Sequence, residues 1–473
     1  MKRLGILLLG LVFGLAVSAC GPQGSQVGKN SGGQQPGPGQ FIELSKDGTH
    51  LVDANGKAVF LTGDSPQLLF VQINNADVDT YLADRAARGF NVLWVYPVDR
   101  VDQTNAPNNF FGNAPFDGTN FTNEDATYWA HVDLVVSKAQ ADGITMVMNA
   151  AFVGLTSAQG YFSDFNDSGN CNLFANYGTW LGNRYKGYPN IIWSLGGDAD
   201  VLGNATIKAN ISCLGTALAA ADPNHLITVE TCRVCSPANQ SSLDSYGGSP
   251  PAWLRLNWVY NTQPTVVQGC QNGFNASNTI LPMMGEDWYE LDSRVTPTQV
   301  RQEGYWEVLS GCFLGRLFGN DAILNFNGPS FPSPSWQSQL GSVGSVSQAL
   351  MGKLFRSREH WKLQPDLAHT VVTAGFGSGS TITTTARASD GQSIIAYVPN
   401  GSAATLTVDM TKIASSNGQA NCWWFNPSSG ATALIGSFAN SGTRNFTPPD
   451  SNDWVLVIDA ASANLGPPGS SNL

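Results

Sequence analysis

Charge is scarce in this chain, and basic charge most of all. Only 12% of the 473 residues are charged, and Lys plus Arg number 24 against 35 Asp plus Glu, for a net charge of −11. Nucleic-acid binding needs clustered cations against phosphates, so this balance argues against it. Histidine is rarer still, with five residues at 50, 131, 225, 360 and 369. None has a nucleophile-elbow partner, which leaves Ser-His-Asp hydrolysis without support. No P-loop, cofactor motif or metal-ligand cluster is visible, and neither a cofactor nor a metal is expected. Long apolar runs are limited to Leu4–Val17, too short to span a membrane as a stable helix.

That run follows Lys2 and Arg3 and closes on Val17-Ser18-Ala19-Cys20, the arrangement of an export signal. The ending resembles a bacterial lipobox, which implies cleavage before Cys20 and lipidation of its thiol. Residues 21–40 carry almost no apolar side chains and read as a disordered tether. A bacterial envelope lipoprotein, held to the membrane through its N-terminal lipid alone, is the expectation. Beyond Cys20 stand seven cysteines (171, 213, 232, 235, 270, 312 and 422), and export makes disulfides feasible while the odd count leaves at least one thiol free. Cys232-Arg-Val-Cys235 has zinc-knuckle spacing, but no second Cys/His pair stands near it.

What is abundant is globular: 42% hydrophobic residues, 51 Gly and 13 Trp, with aromatic surface suited to stacking on sugars. The length calls for two folded domains. Phe41–Phe60 reads as a hairpin turning at Asp53-Ala-Asn-Gly56. From Val59 strands and helices alternate, which predicts an α/β fold, a (β/α)8 TIM barrel. Its strands are expected at Val59–Asp64, Asn91–Val98, Ile144–Asn149, Ile191–Leu195, Leu226–Glu230, Trp253–Trp258, Leu281–Met284 and around Ala322–Phe326. No Gly-rich fingerprint follows the first strand, which counts against an open dinucleotide-binding sheet. From about 367 short β-rich runs separated by turns such as Asp390-Gly391 and Asn400-Gly401 predict an all-β sandwich. The reading divides the chain into signal (1–20), tether (21–40), barrel (41–366), sandwich (367–461) and flexible tail (462–473).

Two strands end on Gly and then a carboxylate: Ile191-Ile-Trp-Ser-Leu-Gly-Gly-Asp198 and Leu281-Pro-Met-Met-Gly-Glu286. Side chains at the C-terminal ends of barrel strands converge on one pocket. Two carboxylates there are the minimum apparatus for glycosidic cleavage, and retaining enzymes hold them about 5–5.5 Å apart. Asp198, ending strand four, is expected as general acid/base and Glu286, ending strand seven, as nucleophile. The acid must hold its proton near neutral pH while the nucleophile stays ionised. Trp288 and Tyr289 offer a stacking face and a hydrogen bond. The bland reading of Asp198 is a turn or cap residue, and that of Glu286 an acidic loop in which Glu290 is the rival nucleophile.

At these residues the chain resembles the apiosidase-like glycoside hydrolases, glycoside hydrolase family 140. The motifs are Leu61-Thr-Gly-Asp-Ser65, Tyr81-Leu-Ala-Asp-Arg-Ala-Ala-Arg-Gly-Phe-Asn91, Ile192-Trp-Ser-Leu-Gly-Gly-Asp198, Gly285-Glu-Asp-Trp-Tyr-Glu290 and Val300-Arg-Gln-Glu-Gly-Tyr-Trp306. Ala388-Ser-Asp-Gly391, Trp424-Phe-Asn-Pro427 and Phe446-Thr-Pro-Pro449 resemble the sandwich that accompanies this barrel, often labelled collagen-binding, a label that is weak support for collagen. The resemblance implies the same two catalytic carboxylates and a polysaccharide substrate, apiose-bearing pectin side chains of rhamnogalacturonan II. The chain departs from the family at Val229-Glu230-Thr231, where a His is usual, at Leu256-Asn-Trp-Val259, and at Gly315-Arg-Leu-Phe-Gly319. Asp64, Asn149, Glu230, Trp258 and Asn325, each at or near a strand end, are candidate sugar ligands beside Trp288 and Tyr289. A non-catalytic surface glycan-binding or adhesion lipoprotein is the alternative function.

Overall fold

The computed structural model describes residues 41–232, 235, 241–261, 265–276, 281–284, 289–399 and 405–470. The signal, the tether and Cys20 therefore lie outside the described residues. So do Gly285–Trp288, and with them Glu286 and Trp288.

A three-stranded antiparallel ribbon opens the described chain, with Leu51–Val52 between Glu43–Leu44 and Ala58–Val59. Its turn is tied by Asp53, whose Oδ1 accepts the Asn55 and Lys57 N–H groups at 2.9 and 3.0 Å. The barrel follows, built from β1 (Leu61–Asp64), β2 (Val92–Val95), β3 (Thr145–Asn149), β4 (Ile191–Ala199), β5 (Ile227–Thr231), β6 (Leu256–Val259), β7 (Leu281–Met284) and β8 (Gly315–Asn320). The ladder runs β5-β4-β3-β2-β1-β8-β7-β6, parallel throughout. β5 and β6 meet at a seam stitched partly by side chains. Ser242 Oγ donates to Val229 O and accepts from Trp258 N–H, and Thr228 Oγ1 donates to Leu256 O at 2.8 Å.

Local chemistry explains the helices. Helix Asn75–Arg88 starts because Asn74 accepts the Ala76 and Asp77 N–H groups, and stops at Gly89 in the left-handed conformation. Its buried face carries Val78, Tyr81, Leu82 and Arg85. The eighth strand corrects the sequence expectation. Ala322–Phe326 is not a strand: Asp321–Leu324 is a short helix capped by Asn320, whose Oδ1 accepts from Ala322 and Ile323, and the strand is Gly315–Asn320. A buried Arg in mid-strand hid it. Arg316 Nε donates to Glu307 Oε2 at 2.6 Å in the helix layer.

The C-terminal region is two antiparallel sheets. The larger has six strands in the order 363–365, 384–388, 393–398, 454–460, 419–425 and 432–439, and the smaller pairs 406–409 with 372–374 and 443–446. Ile394, Ala396, Val398, Leu456 and Ile458 fill the space between the sheets. The alternate residues Ile395, Tyr397, Val455 and Val457 face the other way, into a core shared with barrel residues Tyr305, Trp306, Leu354 and Phe355. Burial on both faces is why these strands are apolar throughout. Polar anchors cross the same interface. Arg301 is bidentate to Asp453 at 2.7 and 2.8 Å, Arg358 to Asp459 at 2.9 and 2.7 Å, and Trp306 Nε1 donates to Ile382 O at 2.9 Å.

The tail corrects a second expectation. It does not hang free over the described residues: Gly466 O accepts from Arg358 Nη2 at 3.0 Å, Gly469 N–H donates to Ser357 Oγ at 2.8 Å, and Pro468 is buried. Two disulfides are formed, Cys171–Cys213 and Cys232–Cys235, so the zinc-knuckle spacing closes on itself. Cys270, Cys312 and Cys422 are buried thiols.

Candidate active site

A cleft of about 770 Å³ opens on the C-terminal face of the barrel. Every strand, or the loop after it, supplies part of its wall: Gln67 after β1, Trp94 in β2 and Tyr96 after it, Phe152 after β3, Asp198 in β4, Glu230 in β5, Tyr260 after β6, Tyr289 and Arg294 after β7, and Asp321 after β8. Convergence of all eight strand ends is what the fold dictates for a site.

Asp198 stands half-buried in that wall, and the local chain shape is unusual. β4 does not stop at Leu195 but continues to Ala199, through Gly196, Gly197 and Asp198 at φ of 94°, 88° and 51°. Two glycines accept this left-handed run at no steric cost, and Asp is among the few other residues that tolerate it. Added Cβ atoms would lie 2.3 Å from Glu230 O at Gly196 and 2.5 Å from the Phe152 ring at Gly197, so neighbouring chain presses on the arch. The Asp198 N–H donates to Glu230 Oε2 at 2.5 Å.

Aromatic rings form one side of the cleft. Tyr96 and Phe152 stack at 5.4 Å with planes 14° apart, and Trp94 meets Tyr96 edge-on at 5.3 Å. Flat faces of this kind suit the C–H faces of a sugar. Opposite, Arg294 forks onto Asp292, and the Asp321 carboxyl is pushed up to about 6 by burial, with Asp292 adding to the effect. Among the described lining residues Asp198, Glu230, Asp292 and Asp321 are acidic and Arg294 is basic.

Of the residues singled out from sequence, the structure brings Asp198, Glu230 and Tyr289 together in the cleft. Gln67 Nε2 approaches the Tyr289 hydroxyl at 3.5 Å. Four candidate sugar ligands are corrected. Asp64 is fully buried behind the wall, where Tyr81 donates to it and Arg85 Nη1 lies 3.3 Å away. Its carboxyl is raised by desolvation, opposed by Arg85. Asn149 is buried beneath the arch, its Nδ2 3.5 Å from Gly196 O. Trp258 is buried behind Trp94 with ring centroids 5.0 Å apart, and Asn325 is buried after the short helix. Glu290, the rival nucleophile, also turns inward. Its Oε1 accepts the Gly344 N–H at 2.9 Å and its Oε2 the Asn320 amide at 3.1 Å, which anchors the loop to helix Val343–Arg356. Among the described residues no group of three or more His, Cys, Asp or Glu is placed to hold a metal.

Sequence reasoning missed Trp94, Tyr96, Phe152, Asp292, Arg294 and Asp321. For Phe152 a signal existed, because it lies three residues beyond Asn149, a strand end already taken as rim, and for Tyr96 the same rule applied to the second strand would have found it. For Arg294 none did, since the loop after β7 returns to the cleft only in three dimensions, while Asp321 directly follows β8 and was hidden by the misplacement of that strand.

Two family models match the chain: "Apiosidase-like, catalytic domain" over residues 45–362 and "Putative collagen-binding domain of a collagenase" over 368–459. Among curated proteins, "Probable mannan endo-1,4-beta-mannosidase A" of Aspergillus flavus and of Aspergillus oryzae are each 29% identical over 140 residues. The match spans 30% of this chain and only 36% of the length of those relatives. Among solved structures, one titled "Glycoside hydrolase" has a TM-score of 0.76 at 22% identity, covering 91% of this chain and 99% of its own. A glycoside hydrolase family 5 structure from Bacteroides vulgatus reaches 0.78 at 20% identity, covering 93% and 98%. These likenesses concern the fold, a barrel and sandwich together over nearly the whole chain. With the catalytic-domain model spanning the entire barrel, the chain belongs to the apiosidase-like family.

Proposed function

We propose that this chain is a glycoside hydrolase that cleaves a plant-type polysaccharide by retaining double displacement, with Asp198 as general acid/base and Glu286 as nucleophile. One observation carries the reading: a half-buried carboxylate, Asp198, held on a strained arch at the end of β4, in a cleft walled by Trp94, Tyr96 and Phe152. An acid so placed reaches a glycosidic oxygen while the sugar stacks on the rings. Glu286 follows β7 by two residues and precedes the cleft residue Tyr289 by three, which supports its role as the second carboxylate. In the first step Asp198 gives its proton to the departing oxygen as Glu286 attacks the anomeric carbon. In the second, Asp198 as base takes a proton from water as that water attacks the anomeric carbon and breaks its bond to Glu286, which releases the sugar with its configuration retained.

Apiose-bearing side chains of rhamnogalacturonan II are the proposed substrate, on the strength of family membership. Mannan is the second reading, favoured by the 140-residue match to two mannosidases. We further propose that the enzyme is held at the bacterial envelope by lipid on Cys20. Reducing-sugar release from a panel containing rhamnogalacturonan II, mannan and other plant polysaccharides tests the activity, with Glu286→Gln as the inactive control. Binding to a panel member with no sugar released by the wild-type protein would favour the glycan-binding alternative instead.

A further inference from the structure

We propose that Glu230 is a positioning residue for the catalytic acid: its carboxylate holds the Asp198 backbone in the conformation that presents the acid to the cleft. The inference rests on the reading of Asp198 as acid/base, and it gives Glu230 a different task from the sugar contact expected of a strand-end carboxylate.

The register of β4 against β5 supplies the geometry. Gly196 pairs with Glu230, pairing resumes at Ala199 with Thr231, and Gly197 and Asp198 are left over on β4. The surplus pair arches out of the sheet, which turns Asp198 toward the cleft but takes its amide out of the ladder. Neighbouring backbone engages the carbonyls of this arch. Gly196 O accepts from Val153 N–H at 2.8 Å, Gly197 O from Gly154 N–H at 2.9 Å, and Ala199 O from Cys232 N–H at 3.0 Å. The Asp198 N–H is met instead by a side chain, Glu230 Oε2 at 2.5 Å. At that distance the contact is a short hydrogen bond. Glu230 is buried to 1% exposure, so little solvent competes for that bond. The arch thus combines left-handed torsions, which an Asp adopts reluctantly, with one short, buried side-chain bond at the residue that carries the chemistry. Without the bond Asp198 is free to relax toward ordinary torsions, which would swing its carboxyl away from a glycosidic oxygen.

The test compares Glu230→Ala, Glu230→Gln and Asp198→Ala in the full chain. The first readout needs no substrate: deuterium uptake over residues 194–200. Glu230→Ala is expected to speed exchange there by at least about tenfold, the loss of a single strong hydrogen bond. Glu230→Gln keeps an acceptor oxygen and should stay much closer to the wild type. Unchanged uptake in Glu230→Ala would overturn the proposal whatever the substrate proves to be. The second readout uses methyl and dinitrophenyl glycosides of apiose and mannose. Misplacing an acid by about an ångström costs on the order of 10² in rate. Glu230→Ala should therefore lose about that much kcat on the methyl glycoside, much less on the dinitrophenyl glycoside, and Glu230→Gln should recover at least tenfold of it. A rise in KM alone, equal on both substrates, would make Glu230 a sugar ligand and sink the proposal. Asp198→Ala separates the two readings. If that variant shows no leaving-group dependence, the acid assignment falls, while the uptake result still decides whether Glu230 holds the arch. Should Glu230→Ala fail to fold, Glu230→Asp keeps the carboxyl group, shortens the reach and carries both readouts.

Discussion

Replacing Arg301 by Met is expected to destabilise the barrel and the sandwich together. Arg301 lies on helix Pro297–Leu309 and donates Nε and Nη2 to both oxygens of Asp453, with 6% and 4% of the two side chains exposed. Tyr397 also donates to Asp453, at 2.9 Å, and its ring stacks on Tyr305 at 4.7 Å with planes 3° apart. Removing the guanidinium leaves a buried carboxylate with a hydroxyl in place of its counter-charge, a loss of about 3–5 kcal/mol. The whole fold has about 5–15 kcal/mol to lose. At about 2–4 °C per kcal/mol for a unit of 150–250 residues, melting should fall by roughly 6–20 °C, toward the lower figure because the cooperative unit here is larger. Differential scanning calorimetry should show one transition moving as a whole, with the cleft's activity at 25 °C preserved. The triple variant Arg301→Met, Asp453→Leu, Tyr397→Phe removes both charges and the hydroxyl that would be orphaned. It should regain most of the loss, because an apolar replacement of a buried pair is often neutral. A single variant melting within about 1 °C of the wild type, or a triple variant worse than the single, would refute the reasoning.

Three further outcomes are expected. Asp198→Ala should lose about 10²–10⁴ in kcat on glycosides with poor leaving groups and far less on dinitrophenyl glycosides, measured by steady-state kinetics; equal loss on both would remove the acid role. Asp99 is held at about 6, above its ordinary 3.8, chiefly by burial and then by Asp102. A carboxyl whose folded value is raised contributes its full stability below about 3.8 and loses it as pH climbs through about 6. Asp99→Asn keeps the acceptor for the Val101 and Asp102 N–H groups. Its melting temperature should therefore gain on the wild type between pH 4 and pH 7, and a pH-independent difference would count against this. Cys20→Ser should release the protein from the membrane fraction or change its processing, checked by fractionation and N-terminal mass.

The parts of the fold written in local pattern were legible. Asn74 and Gly89 bracket a helix because one side chain caps and one backbone turns left-handed, and both effects lie within a few residues. Strand eight was misplaced because its Arg316 is neutralised by Glu307 on the preceding helix, a pairing that periodicity does not carry. Asp64 and Asp198 look alike in sequence, each a carboxylate following Gly at a strand end. They part company through distant partners: Arg85 and Tyr81 hold Asp64 inside, while a two-residue surplus on β4 turns Asp198 outward. The shared barrel–sandwich core did leave a trace in the unbroken runs Ile394–Val398 and Val455–Ile458, since a strand apolar on both faces has two surfaces to cover. The docking of the tail left none, because it rests on backbone groups of Gly466 and Gly469.

The three departures from the family pattern do not bear equally on sugar choice. Trp258 is buried behind Trp94, so a change there reaches substrate only by moving the ring in front of it. In Gly315-Arg-Leu-Phe-Gly319 the polar residue, Arg316, faces the helix layer and Glu307, which makes that departure a matter of packing. Glu230 alone of the three lines the cleft, and it does so with one oxygen on the Asp198 amide. Discrimination among sugars then falls to groups around the rim that strand-end reasoning did not supply: the Tyr96–Phe152 stack on one side, and Arg294 with Asp292 and Asp321 on the other. Substitutions at those rim positions should move substrate preference while leaving the acid's leaving-group dependence intact. Substitution at Glu230 should do the reverse, because its carboxyl meets the Asp198 backbone.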